Sequence, residues 1–137
     1  MIGLKEKAKK RGLNNIKIIN TNENLGLGLK NNSIDAVLLY DILHYFKKDE
    51  RKKLYHEIYQ ILKPDSLLSV YPKHTKYDFP WDYFKDITLD EVKEEITNAG
   101  FSFQKKYCGT ILHDKSFNDG CVLNFKKRIN MGGAYHF

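Results

Sequence analysis

Asp41, His44 and His74 are the side chains of this sequence best suited to take a proton from a reacting group. They stand just beyond two short apolar runs, Ala36–Leu39 and Leu67–Val70. An imidazole titrates near neutral pH, which favours it as a general base, and a carboxylate can serve the same end. Each residue also has a plainer role open to it. Asp41 can cap a short helix, His44 can be an imidazole bonded to backbone, and Lys73 and His74 can be exposed loop residues. His56 and His113 carry no such signal and read as surface residues.

The elements that must position these groups follow from the pattern around them. Both runs are too short for free-standing helices and almost uninterrupted, as expected of strands buried on both faces of a parallel sheet. Between them Leu54, Ile58, Ile61 and Leu62 recur at helical spacing, flanked by Tyr55 and Tyr59. Asp49 is placed to cap that helix. Pro64 ends it, because proline offers no N–H and disfavours helical geometry at the residue before it. Asp65 and Ser66 then turn the chain into the second strand. Strand, helix, strand makes a βαβ unit, whose ligands sit beyond the carboxyl ends of the strands. Tyr40-Asp41-Ile42-Leu43-His44 and Pro72-Lys73-His74 occupy those ends.

The flanking sequence supplies the rest. Leu4–Arg11 reads as the end of a short helix stopped by Gly12, and Ile16–Ile19 as a short strand. Thr21–Asn32, rich in Asn and Gly, is a loop; its G-L-G lacks the third glycine and the helix of a dinucleotide fingerprint. Lys73–Asp86 mixes rings with charges and reads as an irregular lid. Phe79, Trp81 and Phe84 would pin it to the core. Tyr45, Tyr77 and Trp81 read as core packing first and as pocket walls second. Thr88-Leu89-Asp90-Glu91 is a capping box; Leu89, Val92 and Ile96 share a helical face that Gly100 stops. Phe101–Tyr107 and Cys121–Phe125 read as antiparallel strands joined through a polar, Gly-containing segment from His113 to Gly120. Residues 130–137 look like a frayed tail.

Composition narrows the classes. With 137 residues, the chain is one domain with enough apolar content for a core. No stretch is apolar and long enough to cross a membrane, and the N-terminus lacks a signal-peptide apolar region, so the expectation is a cytoplasmic protein. The net charge of +6 attracts anions, but no nucleic-acid motif accompanies it. Cys108 and Cys121 read as two reduced thiols facing each other across the late hairpin. No His or Cys spacing matches a zinc motif, so no metal is expected.

Ser33-Ile34-Asp35-Ala36-Val37, then Leu43-His44, then Glu57-Ile58-Tyr59-Gln60-Ile61-Leu62-Lys63-Pro64 resemble class I S-adenosylmethionine-dependent methyltransferases. The best match is the small-molecule branch with the ubiquinone/menaquinone-type enzymes, which reads S-F-D-x-V, L-H-H and R-x-L-K-P-G-G. The helix from Thr88 to Ala99 and the last two strands keep that family's order. The resemblance implies an α/β, Rossmann-like fold, truncated, with a mostly parallel sheet and a C-terminal antiparallel hairpin. It also implies S-adenosylmethionine as cofactor and a small-molecule methyl acceptor. It puts Tyr40 and Leu43 in the cofactor cleft, Asn22 and Glu23 on the adenine side, and Asp41, His44 and His74 at the reacting centre. Such a transfer needs the methyl carbon held about 3–3.5 Å from its acceptor.

The departures bear on the same expectation. The family's first strand carries a Gly-rich loop, and its second ends in an acidic residue; neither is present here. Asp65-Ser66 replace the two glycines after the proline. In the family order 3-2-1-4-5-7-6 the absent strands lie in the middle, which leaves one edge of the sheet open. A second copy, a partner strand, a longer chain or a shifted Ile16–Ile19 would cover it. A degenerate, non-catalytic module for assembly or regulation is the alternative function.

Overall fold

β1 (Ile34–Tyr40) and β2 (Leu62–Tyr71) run parallel with Tyr40 opposite Tyr71, so both strand ends point the same way. This computed structural model describes residues 3–17, 26–113 and 116–128. α1 (Leu4–Lys10) closes on Arg11, and Gly12 follows at φ +68, the left-handed stop that its lack of a Cβ permits. Ile16 and Lys17 are not in a strand; Ile18 and Ile19, with residues 21–25 of the Asn/Gly loop, lie outside the described residues.

α2 (Lys48–Ile61) crosses from β1 to β2. Its apolar face, Leu54, Tyr55, Ile58 and Ile61, is buried as the spacing predicts. Two local expectations are corrected. The cap is Lys47, not Asp49: Lys47 is extended and its N–H donates to the Glu50 carboxylate at 2.9 Å, whereas Asp49 is already helical. The helix also ends earlier, at Ile61. Leu62 is extended and pairs with Ile34, so β2 begins ahead of Pro64. The irregular register between Ile34 and Ala36 absorbs the Lys63–Ser66 segment, with Asp65 at φ +63.

α3 (Leu89–Asn98) opens with the expected box: Thr88 Oγ1 accepts from the Glu91 N–H at 3.2 Å, and Glu91 accepts from the Thr88 N–H at 3.3 Å. β3 (Phe101–His113) and β4 (Ser116–Lys127) form a long antiparallel hairpin. The sheet order is β1-β2-β4-β3, the 4-5-7-6 portion of the implied family order. The parallel part is the β1–β2 pair; β4 pairs antiparallel with both its neighbours, so the sheet is mixed.

The buried core residues among those described gather on one side of the sheet, against the helices. Leu54, Ile58, Val92 and Ile96 of the helices meet Leu68, Val70, Leu123 and Phe125 of the sheet in one buried cluster. Burying each such side chain stabilises the fold by about 1.5–3 kcal/mol. The expectation that β1 is covered on both faces is corrected. Leu39 is buried and Val37 packs against the core, but Leu38 is 60% exposed and Ala36 and Tyr40 are exposed too. β1 is the edge strand of the described sheet, so its second face lacks the neighbour that would bury it.

The cysteines are also corrected. Cys108 and Cys121 are directly opposite in the β3–β4 register and form a disulfide rather than two thiols. Their strands extend well past the expected ends, so Gly109 and Gly120 pair within the ladder. At Gly120 the space for a Cβ is taken by the Tyr71 ring, 2.8 Å away.

Candidate functional site

The parallel pairing carries on past Tyr40: the Asp41 N–H donates to the Tyr71 carbonyl at 2.9 Å. Asp41 then turns through φ +56 into a single helical turn, Leu43–Tyr45, which buries His44. On the neighbouring strand, Pro72 and Lys73 lead to His74 at φ +64. Both departures into left-handed geometry are costly for residues with a Cβ, and such residues concentrate at functional sites.

These turns bring Asp41, His44 and His74 together. His44 Nδ1 is 3.8 Å and His74 Nε2 4.0 Å from Asp41 Oδ1. The two imidazole rings meet edge-on with centroids 4.5 Å apart. The His74 Nδ1 lies 2.8 Å from the Phe79 carbonyl. A carbonyl only accepts, so Nδ1 carries the proton and a neutral His74 turns its Nε2 lone pair toward Asp41. Of the three, His44 is the most enclosed, at 3% exposure.

Aromatic groups frame this centre. Tyr45 lies against His44 at 4.0 Å, and Trp81 lies 6.1 Å from His74 on the far side. The Trp81 N–H donates to the His74 carbonyl at 3.2 Å, which folds the loop back over the strand end. Lys73 is buried, paired with Asp78 at 2.8 Å and set 5.5 Å from the Phe79 ring. Tyr40 shares a 2.7 Å hydrogen bond with Ser69 and meets Tyr71 edge-on. Burial raises the Tyr71 phenol above its ordinary range. Its hydroxyl has no hydrogen-bond partner among the described residues.

The aromatic loop departs from the core-packing expectation. Only Phe84 is buried; Tyr77, Phe79, Trp81 and Tyr83 of the loop are exposed, Tyr77 to 83%, and so is Tyr45 after β1. A loop that leaves four rings in solvent has apolar surface to offer a ligand. Beside it, a cavity of about 550 Å³ lies against Pro72, Thr75, Tyr77 and Asp78 on one side and Gly109 and Gly120 on the other. A second, of about 560 Å³, lies between α2 and α3, lined by charged residues and His56.

Leu43 takes its place in the buried core, so only its backbone can face a cleft. Asn22 and Glu23 lie outside the described residues. The Asp41–His44–His74 meeting was not visible as a metal-type motif, because thirty residues separate His44 from His74. The βαβ reading, which puts both strand ends side by side, is the signal that leads to it. No helix among the described residues is long and apolar enough to cross a membrane.

The sequence pattern of a family described as a methyltransferase domain matches residues 2–70. No curated protein matches the chain. Solved structures do. A S-adenosylmethionine-dependent methyltransferase from Aquifex aeolicus is 20% identical, with 89% of this chain and 60% of that one covered and a TM-score of 0.66. One from Methanosarcina mazei is 16% identical over 76% of this chain and 64% of that one, with a TM-score of 0.61. The [4+2]-cyclase SpnF is 16% identical over 92% and 61%, with a TM-score of 0.70. The chain thus spans just over six-tenths of the length of such structures, and at these identities the likeness is one of fold.

Proposed function

Since this chain belongs to the methyltransferase domain family, we propose that it serves methyl transfer from S-adenosylmethionine to a small molecule, in the ubiquinone/menaquinone-type branch. The observation that carries this reading is the meeting of Asp41, His44 and His74 beyond two parallel strand ends. Crevices outside the carboxyl ends of such strands are where α/β sheets hold ligands. S-adenosylmethionine, when bound, supplies the methyl group as a sulfonium.

The residues present fit that group in part. Tyr40 offers a half-exposed ring at the end of β1, and the Leu43 backbone follows at the start of the helical turn after it. Asn22 and Glu23 are assigned to the adenine side. His74, with its Nε2 lone pair turned inward, is suited to take the proton that an oxygen or nitrogen acceptor must lose, and Asp41 stabilises the imidazolium that results. The cavity beside Pro72 and Thr75, at about 550 Å³, has the size of a small-molecule pocket and is assigned to the acceptor. In this reading residues 1–137 are a single cytoplasmic methyltransferase-like domain, and a second copy or partner strand covers the open edge of β1.

Calorimetry with S-adenosylmethionine and S-adenosylhomocysteine tests it. Binding at micromolar ligand by this chain, lost in Tyr40→Ala, is expected. No binding at millimolar ligand would favour the second reading, a non-catalytic module. A shared scaffold does not by itself fix the activity: SpnF, similar in fold, is named as a cyclase.

A further inference from the structure

Asp41, His44 and His74 each turn a potential ligand atom into one small volume, with all three atoms within 4.8 Å of one another. We infer that these three residues bind a divalent first-row transition ion of the zinc type. Two imidazole nitrogens and one carboxylate oxygen are the donor set of catalytic zinc and non-haem iron sites; magnesium and calcium prefer oxygen alone.

The supporting residues are arranged as such a site needs. Metal-bound imidazoles donate their other N–H to a carbonyl or carboxylate, which fixes the tautomer and the ring. His74 does this through Nδ1 to the Phe79 carbonyl at 2.8 Å, and its Nε2 faces Asp41. His44 is held by burial, at 3% exposure, and by ring contacts with Tyr45 and His74. Asp41, the most exposed of the three, is anchored by its N–H to the Tyr71 carbonyl.

The separations ask for a modest contraction. Bonds of about 2.0–2.1 Å in tetrahedral geometry space ligand atoms about 3.3 Å apart. The 3.8 and 4.0 Å distances from Asp41 Oδ1 therefore close by about half an ångström to an ångström, and the widest separation, up to 4.8 Å, by about 1.5 Å, which rotations of the Asp41 and His74 side chains together must supply. Three protein ligands leave a fourth position for water or for an oxygen of a bound molecule. An ion on Nε2 occupies the lone pair that would otherwise accept a proton, so at His74 this inference competes with the base role proposed above, and the zinc titration tests it separately from cofactor binding.

The test is titration of the chelator-treated full chain with zinc chloride, followed by calorimetry. One ion per chain is expected at micromolar concentration or tighter, with affinity reduced at least tenfold in His44→Ala and in His74→Asn. Asparagine is chosen at position 74 because it tolerates left-handed backbone. Magnesium chloride is expected to give no binding. X-ray absorption of the zinc-loaded wild type gives a readout independent of any variant's folding, and two imidazole ligands are expected. No zinc binding at 100-fold molar excess, binding unchanged in the His44→Ala/His74→Asn double variant, or fewer than two imidazoles on the ion would each overturn the inference.

Discussion

Arg51 of α2 grips Glu95 of α3 with both arms of its guanidinium: Nε donates to Oε1 at 2.8 Å and Nη2 to Oε2 at 2.9 Å. The third arm donates to the Phe46 carbonyl at 2.7 Å, and the guanidinium lies 5.0 Å from the Phe84 ring. Arg51 is 1% exposed. Removing one partner leaves a buried charge alone, so Arg51→Ala should cost about 3–5 kcal/mol. Arg51→Met/Glu95→Met should cost clearly less, because both charges go together. Urea unfolding of the three proteins checks this; equal losses in single and double variants would show that the charge pair is not the source.

Tyr55 sits against that pair and donates to Glu95 at 3.3 Å. Burial first, and then the Glu95 charge, raise its phenol far above the ordinary value near 10. Above about pH 10 the unfolded chain therefore releases this proton while the folded one keeps it. The folded state then binds more protons, and stability falls as pH rises. Below about pH 10 that contribution is fully present. Thermal unfolding between pH 9 and 11 should show a steeper alkaline decline in the wild type than in Tyr55→Phe. Matching slopes would remove Tyr55 from the explanation.

Gly109 and Gly120 face each other in the hairpin yet differ in surroundings. A Cβ at Gly120 would meet the Tyr71 ring at 2.8 Å and its hydroxyl at 3.0 Å, whereas a Cβ at Gly109 meets nothing within 4 Å. Tyr71 is 3% exposed, so its ring has little room to retreat. Gly120→Ala should lose about 1–3 kcal/mol by overpacking. Gly109→Ala should stay within about 0.5 kcal/mol of the wild type. Denaturant midpoints for the pair decide it.

Cys108 and Cys121 lie 13 residues apart, so their bond closes a short loop. Chain entropy allows about 3 kcal/mol for such a loop at most. The β3–β4 pairing already holds the strands, so the expected loss is nearer half of that. Reductant should lower the melting temperature of the wild type and leave Cys108→Ser/Cys121→Ser unmoved. A reducing cytoplasm would act as that reductant.

How far these features could be read from residues alone depends on the range of the interaction. The apolar runs of β1 and β2, the Leu54–Ile61 face and the Thr88–Glu91 box are local patterns, and each element forms around its pattern even where its ends differ. The side-by-side strand ends follow from the βαβ rule. What escaped is tertiary. The bond between Cys108 and Cys121 depends on hairpin register, which their spacing does not specify. Leu38 and Leu39 are the same residue type with opposite exposures, because only one face of an edge strand meets the helices. The outer half of the hairpin escaped because Gly109–Thr110 and Asp119–Gly120 carry no alternating apolar signal, and cross-strand pairing alone extends it. The Leu62 switch from helix to strand hangs on its pairing with Ile34.

Asp41 and His74 both hold their backbones in the conformation that most side chains avoid. Their genetic neighbourhoods are therefore narrow for two unrelated reasons, chain geometry and chemistry. In a saturation library, asparagine and glycine at either position should keep the fold while silencing the centre, and β-branched residues should be lost at the expression step. Scored for abundance and for ligand binding separately, these two codons should stand out from their flanks. They are the places where a folded but inert protein is a single step away.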